Sequence, residues 1–578
     1  MYEKLIAMND HWTEEGIVRQ LLDQNNRFYG GTADEESGLA WPTHTGTAMV
    51  MAFWASSLAS PASRYYRDEL LTERLELASS FMLRFQHEDG TVSPNWTNMH
   101  SPPDTGFVIV GLAQVLELME QQQWAPLEQT CANLRLFLER TVPAMLTGGC
   151  HTPNHRWVLT AALGFLYRLT GKPELEKRAN EWLSEGMDLT PDGEWTERSN
   201  GIYNAVSDVM LYHASELLRR PALLGPIRRN LKMMTYLVHP DGEVVTDYSG
   251  RQDFGSRTDM SSYHFISLLM AHRDSDSQFA ALAKLAGESL SHPGAISNNS
   301  VLGCLLRPEL LCNCIEPGVL PDTYRVVING DFPRARYLAE MEEAGHGGRI
   351  SHSRLHPEFG APVARERQGM TSTTVMAETN AFFALRHGQA RLLAVSISST
   401  FEPGFIRMNG IETVEDGYRL SGMETKGYYS PIAADRLPQT AEKSVSPWYL
   451  LPHHLREATH LQEHHVKVEL DRTAEGYRIR MQCDKQEALM TQVSFVFGRE
   501  GEFQNGELAA ADTGIDWWKN GTVRYAAGQD WIELSGGSCE HSLKAIRNAP
   551  LPSDCRTLLV NLVTPYDQTF QIKLSGRS

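Results

Sequence analysis

Five long apolar runs in the first half of the chain each follow a polar or proline-marked start. "WPTHTGTAMVMAFWASSLA" begins near Pro42, "SPPDTGFVIVGLAQVLELME" near Pro102, "TPNHRWVLTAALGFLYRL" near Pro153, "SNGIYNAVSDVMLYHASELL" near Asn200 and "TDMSSYHFISLLMAH" near Asp259. The starts recur about every 50 to 60 residues, the length of one antiparallel helix pair with its connections. In the third run, Thr152 is a natural N-cap, Pro153 suits the first helical position, and Gly171 with Pro173 supplies the stop. Between Arg156 and Arg168 no residue is charged, so this helix is expected to be surrounded by protein. The turns "HEDGTV", "TPDGEW" and "HPDGEV" punctuate the intervals. A periodic array of helical hairpins with its more apolar members inside predicts an incomplete (α/α) toroid.

From about residue 323 the runs shorten and alternate, as in "TYRVVING", "ARLLAVSIS", "HVKVELDRTAEGYRIRMQC" and "RTLLVNLVT". Short β-rich runs separated by Gly and Asp turns predict an antiparallel β-sandwich. Two prolines and a glycine interrupt the pattern in "LLCNCIEPGVLPDTY", which puts the toroid at 1–318 and the sandwich at 319–578. The expected class is therefore a multidomain α and β protein.

Hairpins arranged in a ring start their equivalent helices at one end, so residues far apart in sequence converge there. His44, His100, Asp104, Asn154, His155, Arg156, Asn200, Tyr203, Asp259 and His264 are the candidates. Helix N-termini add unpaired N–H groups that suit a carboxylate. Asp and Asn also cap helices for purely structural reasons, a role open to Asp104 and Asn200. Asn154 lies beyond the cap, however, and His155 and Arg156 have no capping task. Trp41, Trp96 and Trp157 offer apolar faces for sugar stacking or for the core.

A formal net charge of -18 excludes a nucleic-acid-binding surface of the ordinary kind and fits poorly with a polyanion unless the cleft is locally basic. No run is apolar and long enough to span a bilayer. The start "MYEKLIAMNDHW" lacks a leader-like apolar run, so a cytoplasmic location is expected, although removal of a secretory leader would leave the same pattern. The eight cysteines read as reduced core residues; Cys312 and Cys314 are spaced more closely than a zinc knuckle and have no matching pair. Neither cofactor nor catalytic metal is expected, and an oligomer is compatible with the sequence.

The pair Asn154–His155, followed about 50 residues later by Tyr203 at the end of "DGEWTERSNGIY", resembles the polysaccharide lyases of the heparinase II/III and oligo-alginate lyase kind. Those enzymes combine an incomplete α/α toroid with an antiparallel sandwich and carry an Asn-His pair and a D-G-x-x-x-E-x-S-x-x-Y stretch. Glu197 occupies the motif's glutamate position. The family usually adds a His or Tyr from the first sandwich strands. This chain offers His346, His352 and His356, of which His352 is the candidate for a second, catalytic proton-transfer group. "HSPPDTGF" lies outside the motif.

The resemblance implies cleavage of a uronic-acid-containing oligo- or polysaccharide by β-elimination. The C6 carboxylate is neutralised, C5 loses its proton and O4 departs, so charge on the carboxylate needs stabilisation. Asn154 and His155, helped by Arg156, are the expected neutralisers. Tyr203 is the expected base, acid or both, and needs nearby positive charge to ionise at neutral pH. Glu197, Asn200, His100, Asp104, His44 and Trp96 complete the expected binding set. The alternative is a glycoside hydrolase, for example a glucuronidase, pairing Asp104 with Asp208, Glu197 or Asp259.

Overall fold

The computed structural model describes residues 2–94, 97–312, 314–343, 356–437 and 447–575. They form two compact units: Met1–Asp322 with Asp331–Gly360, and Thr323–Gly330 with Ala361–Ser578. Residues 331–360, which the strand pattern assigns to the sandwich, thus belong to the helical unit. They carry the helix Arg334–Glu343 and the stretch 356–360.

The helical unit is built from hairpins. Its inner helices are α2 (Thr47–Ala59), α4 (Pro102–Gln121), α6 (His155–Thr170), α8 (Tyr203–Leu217), α10 (His264–Asp274) and α12 (Ser300–Leu306). Each packs on the next, and α12 returns to α2. The outer helices are α1 (Tyr2–Arg19), α3 (Glu69–Phe85), α5 (Glu128–Thr147), α7 (Pro173–Ser184), α9 (Leu224–Met234) and α11 (Ser277–Ser289), packed on the inner set. Inner helices are buried around nearly their whole circumference: every residue of α2 except Met49 is buried. Outer α7 buries only Leu175 and Ala179. Burial of apolar area on both sides of the inner helices, rather than helix propensity, drives this arrangement.

Local chemistry sets the boundaries. Ser101 caps α4 by accepting the Asp104 N–H at 3.2 Å, with Pro102 and Pro103 in the first turn. Gly171 closes α6 in the left-handed region, its N–H reaching the Tyr167 carbonyl at 2.8 Å. Helix α6 begins at His155, later than the Thr152 cap of the sequence reading, because residues 152–154 form a turn that frees the Asn154 side chain. The three "DG" segments make one recurring turn, with Gly90, Gly193 and Gly242 bonding back to His87, Thr190 and His239. At Gly193 φ is 104° and a Cβ would lie 2.4 Å from the Arg229 carbonyl, so only glycine fits.

The second unit is a sandwich. One sheet runs from Thr323–Ile328 through the hairpins Val363–Gln368, Thr371–Met376, Phe383–His387 and Ala390–Ser399 to Met490–Phe497 and Arg556–Val563. The other contains the long hairpin Gly417–Tyr429 and Ala458–Thr473, then Gly476–Cys483, Tyr566–Leu574, Asp530–Ser535 and Thr522–Ala527. Alternation carries the inward face: His464, Val466, Val468 and Leu470 are buried while Glu463, His465, Lys467 and Glu469 are not. The inner faces share a core that includes Phe383, Val395, Phe495 and Val560 with Tyr418, Ile479, Phe570 and Ile572. Among the described strands, Ile515–Asn520 departs from the antiparallel expectation by running parallel to Arg556–Val563. Among the described residues no helix is long and apolar enough to cross a membrane.

Candidate active site

The starts of all six inner helices line one cleft of about 690 Å³. His44 and Thr45 precede α2; Asn98, Asp104 and Phe107 come from the start of α4; His151, Thr152 and His155 from that of α6. Tyr203 and Val206 begin α8, Ser261 and Ser262 precede α10, and Ser297, Asn298 and Ser300 belong to the entry of α12. Arg251 and Gln252, from the loop between α9 and α10, and His292 complete the wall.

One polar chain dominates this wall. The Asn154 side chain donates to Glu197 Oε2 at 2.6 Å, and its backbone N–H donates to the same oxygen at 3.0 Å. The other Glu197 oxygen meets the Arg251 guanidinium. That guanidinium lies over the Tyr203 ring, 4.4 Å from its centroid, and Gln252 Nε2 donates to the Tyr203 hydroxyl at 2.6 Å. Gly250 allows the Arg251 loop to lie this close, since a Cβ there would stand 2.7 Å from the Glu197 carbonyl oxygen.

The electrostatics follow from burial and these partners. Burial raises Glu197 above the usual carboxylate range against the opposing pull of Arg251 and Asn154. Burial likewise raises Tyr203, while Arg251 and the Gln252 hydrogen bond favour its phenolate. His155 is driven down to about 3 by burial, reinforced by His151, Arg251 and His44, so its imidazole is neutral at ordinary pH. His292 is held at about 4, chiefly by burial. Burial also lowers His44, opposed by Asp104. His44 stacks on Phe107 with centroids 4.7 Å apart.

The structure sorts the sequence candidates. His44, Asp104, His155 and Tyr203 line the cleft. Asn154 is 1% exposed and sits behind the wall, its amide nitrogen donating to Glu197 and, at 3.3 Å, to Thr152 Oγ1. Glu197 is also behind the wall, 2% exposed. Arg156 turns away from the site: it pairs with Asp188 at 2.7 Å and Glu185 at 3.3 Å, drawn there by charge, and covers Trp157. Asn200 is structural, donating to the Val245 carbonyl and accepting from Asn204. His100 stacks on His87 and pairs with Asp89 on the surface. Trp157 is core, and Trp41 lines a separate cavity of about 370 Å³ beside Thr45. Trp96, His346 and His352 lie outside the described residues. His356 is buried, and its charge would favour ionised Glu197.

Asp208 is fully buried, takes one hydrogen bond from Trp195 and is raised well above the carboxylate range by burial. Asp259 is exposed and accepts from the Ser261 N–H. Among the described residues lining the cleft, Asp104 is the single carboxylate. Its Oδ2 accepts from Asn98 and Ser101. No cluster of three His, Cys, Asp or Glu suited to a metal occurs among the described residues.

Sequence reasoning missed Arg251, Gln252, His151 and His292. Arg251 and Gln252 sit in "DYSGRQDFGS", a turn-rich loop without periodicity, and the signal available was its position just ahead of a helix start.

The sequence matches no protein-family model and no curated protein sequence. Solved structures resemble it over the whole chain. A chondroitinase AC lyase aligns with 100% of this chain and 83% of its own at 10% identity, TM-score 0.53. Heparinase III aligns over 98% and 84% at 11% identity, TM-score 0.52. A Paenibacillus xanthan lyase aligns over 100% of this chain but 57% of its own, at 10% identity and TM-score 0.52. The chain has the toroid-and-sandwich fold of the heparinase and chondroitinase polysaccharide lyases.

Proposed function

We propose that this protein is a polysaccharide lyase that cleaves a uronic-acid-containing glycan by β-elimination. The observation that carries the reading is a tyrosine hydroxyl in a cleft of helix N-termini, with a guanidinium over its ring and an amide donor on its oxygen. Fold likeness to lyases supports it.

In this reading the substrate carboxylate is received by Arg251 and the neutral imidazole of His155, aided by the helix N-termini. Asn154 acts indirectly, holding Glu197 and through it Arg251. The Tyr203 phenolate takes the C5 proton; the C5–H electrons form the C4–C5 double bond as the C4–O4 bond breaks, and the phenol returns the proton to O4. Tyrosine ends in its starting state, and no water is consumed. An ordinary tyrosine is only about one-thousandth phenolate at pH 7. Burial of Tyr203 reduces that fraction, and Arg251 and Gln252 oppose the reduction. Turnover therefore rises with pH through the neutral and alkaline range.

A hydrolase needs two carboxyl groups facing one glycosidic bond. Among the described residues the lining supplies Asp104, with Asp208 sealed in the core and Glu197 turned toward Asn154 and Arg251. The deciding experiment is incubation with uronate oligosaccharides: elimination leaves a conjugated, ultraviolet-absorbing unsaturated uronate, whereas hydrolysis leaves only new reducing ends.

A further inference from the structure

Tyr203 and Arg251 come from different elements, the start of α8 and the loop before α10, yet their side chains must meet to within a few tenths of an ångström. Besides the Gly250 N–H bond to the Arg198 carbonyl at 3.1 Å, one buried carboxylate ties the amides of both residues together. Asp253 Oδ1 accepts from the Ser199 hydroxyl at 2.8 Å and from the Ser249 hydroxyl. Ser199 Oγ in turn accepts the Tyr203 N–H at 3.2 Å, and Ser249 Oγ accepts the Arg251 N–H at 3.2 Å. The second oxygen, Oδ2, accepts the Gly201 N–H at 2.9 Å. Asp253 is 2% exposed, so water does not compete for these bonds.

We infer that Asp253 is a positioning residue: through Ser199 and Ser249 it fixes the backbone amides of Tyr203 and Arg251 against each other, setting the guanidinium over the phenol. Asp253 does not line the cleft and touches no reacting atom. An acceptor-only carboxylate suits the post, because both serine hydroxyls must donate inward to leave their lone pairs for the amides. An asparagine cannot serve all three donors: with its oxygen on the two serines its N–H groups oppose the Gly201 N–H, in the other orientation they oppose both serines, and loss of the charge weakens whichever bonds remain in both branches. The inference rests on the lyase reading for its catalytic consequence and on geometry alone for its structural one.

The test is Asp253→Asn in the full chain, with two readouts. Amide hydrogen exchange is expected to speed up in both peptides, 199–206 and 246–256, and kcat on the cleaved uronate oligosaccharide to fall about 100-fold with KM little changed. Ser199→Ala and Ser249→Ala, milder variants that keep the protein folded should Asp253→Asn not, are expected to lower kcat up to about 10-fold each. Each should loosen chiefly its own peptide. Unchanged kcat in Asp253→Asn, or exchange that speeds up in one segment only, overturns the inference. Absence of elimination by the wild-type protein overturns the lyase reading instead, and the exchange experiment still decides the geometry.

Discussion

Replacing Glu197 by glutamine removes one charge and almost no volume at the centre of the polar chain. The carboxylate accepts two hydrogen bonds from Asn154, at 2.6 and 3.0 Å, and pairs with Arg251 on its other side, all at 2% exposure. An amide satisfies one side only: its oxygen can face Asn154 or Arg251, and its N–H groups then meet donors on the other. Hydrogen bonds to a charged acceptor contribute about 1.5–3 kcal/mol each. Part of that loss is offset because burial already disfavours the charge and raises Glu197. A net loss of about 1–3 kcal/mol remains, enough to let Arg251 leave the Tyr203 ring for a fraction of the time. A displacement of about 1 Å costs up to about 100-fold in rate. Loss of the Glu197 charge lowers Tyr203 while departure of Arg251 raises it, so the two effects on the pH–rate profile oppose each other and the fall of the plateau is the decisive readout. The assay is kcat/KM for elimination from a uronate oligosaccharide across pH. A plateau at the wild-type level would refute the coupling of Glu197 to Arg251 and Tyr203.

Other expectations follow from the same geometry. Tyr203→Phe should abolish elimination while calorimetry shows substrate binding largely kept, whereas Asp104→Asn should retain measurable activity; the reverse ranking favours the hydrolase. Arg156→Ala should leave kcat and KM unchanged, since its partners are Glu185 and Asp188 rather than the cleft. His155, His264 and His292, lowered mainly by burial to about 3, 4 and 4, stay neutral in the fold but take up protons on unfolding below their ordinary value of 6.5. Stability should therefore fall as pH drops from 6.5 toward 4, and an identical denaturation midpoint at pH 7 and pH 5 would contradict this. Arg251 is already paired with Glu197, and Asp104 adds negative charge to the wall, so unsulfated uronate oligosaccharides should give higher kcat/KM than sulfated ones.

Much of the architecture is legible in the sequence because it rests on periodicity. The apolar runs after Pro42, Pro102, Pro153, Asn200 and Asp259 precede or contain α2, α4, α6, α8 and α10, and the alternating runs after residue 323 become the sandwich. Convergence of helix starts was likewise readable, since a ring of hairpins allows one arrangement of its ends. What pattern could not give was side-chain direction. Asn154, His155 and Arg156 are consecutive, yet one is buried behind the wall, one lines the cleft and one turns to Asp188. About 100° of helix rotation per residue separates such fates. Arg251 escaped notice because a loop has no periodic signature, and its role arises from contacts 48 residues distant from it at Tyr203. The return of residues 331–360 to the helical unit was hidden for a similar reason: its anchors are the Glu194 carboxylate on the Gly360 N–H and Arg198 on the Glu358 carbonyl.

The most direct test is the ultraviolet absorbance of wild-type protein and Tyr203→Phe incubated with a panel of uronic-acid oligosaccharides. An unsaturated product is expected from the wild type and none from the variant. New reducing ends without that absorbance, or a Tyr203→Phe protein that still eliminates, would contradict this.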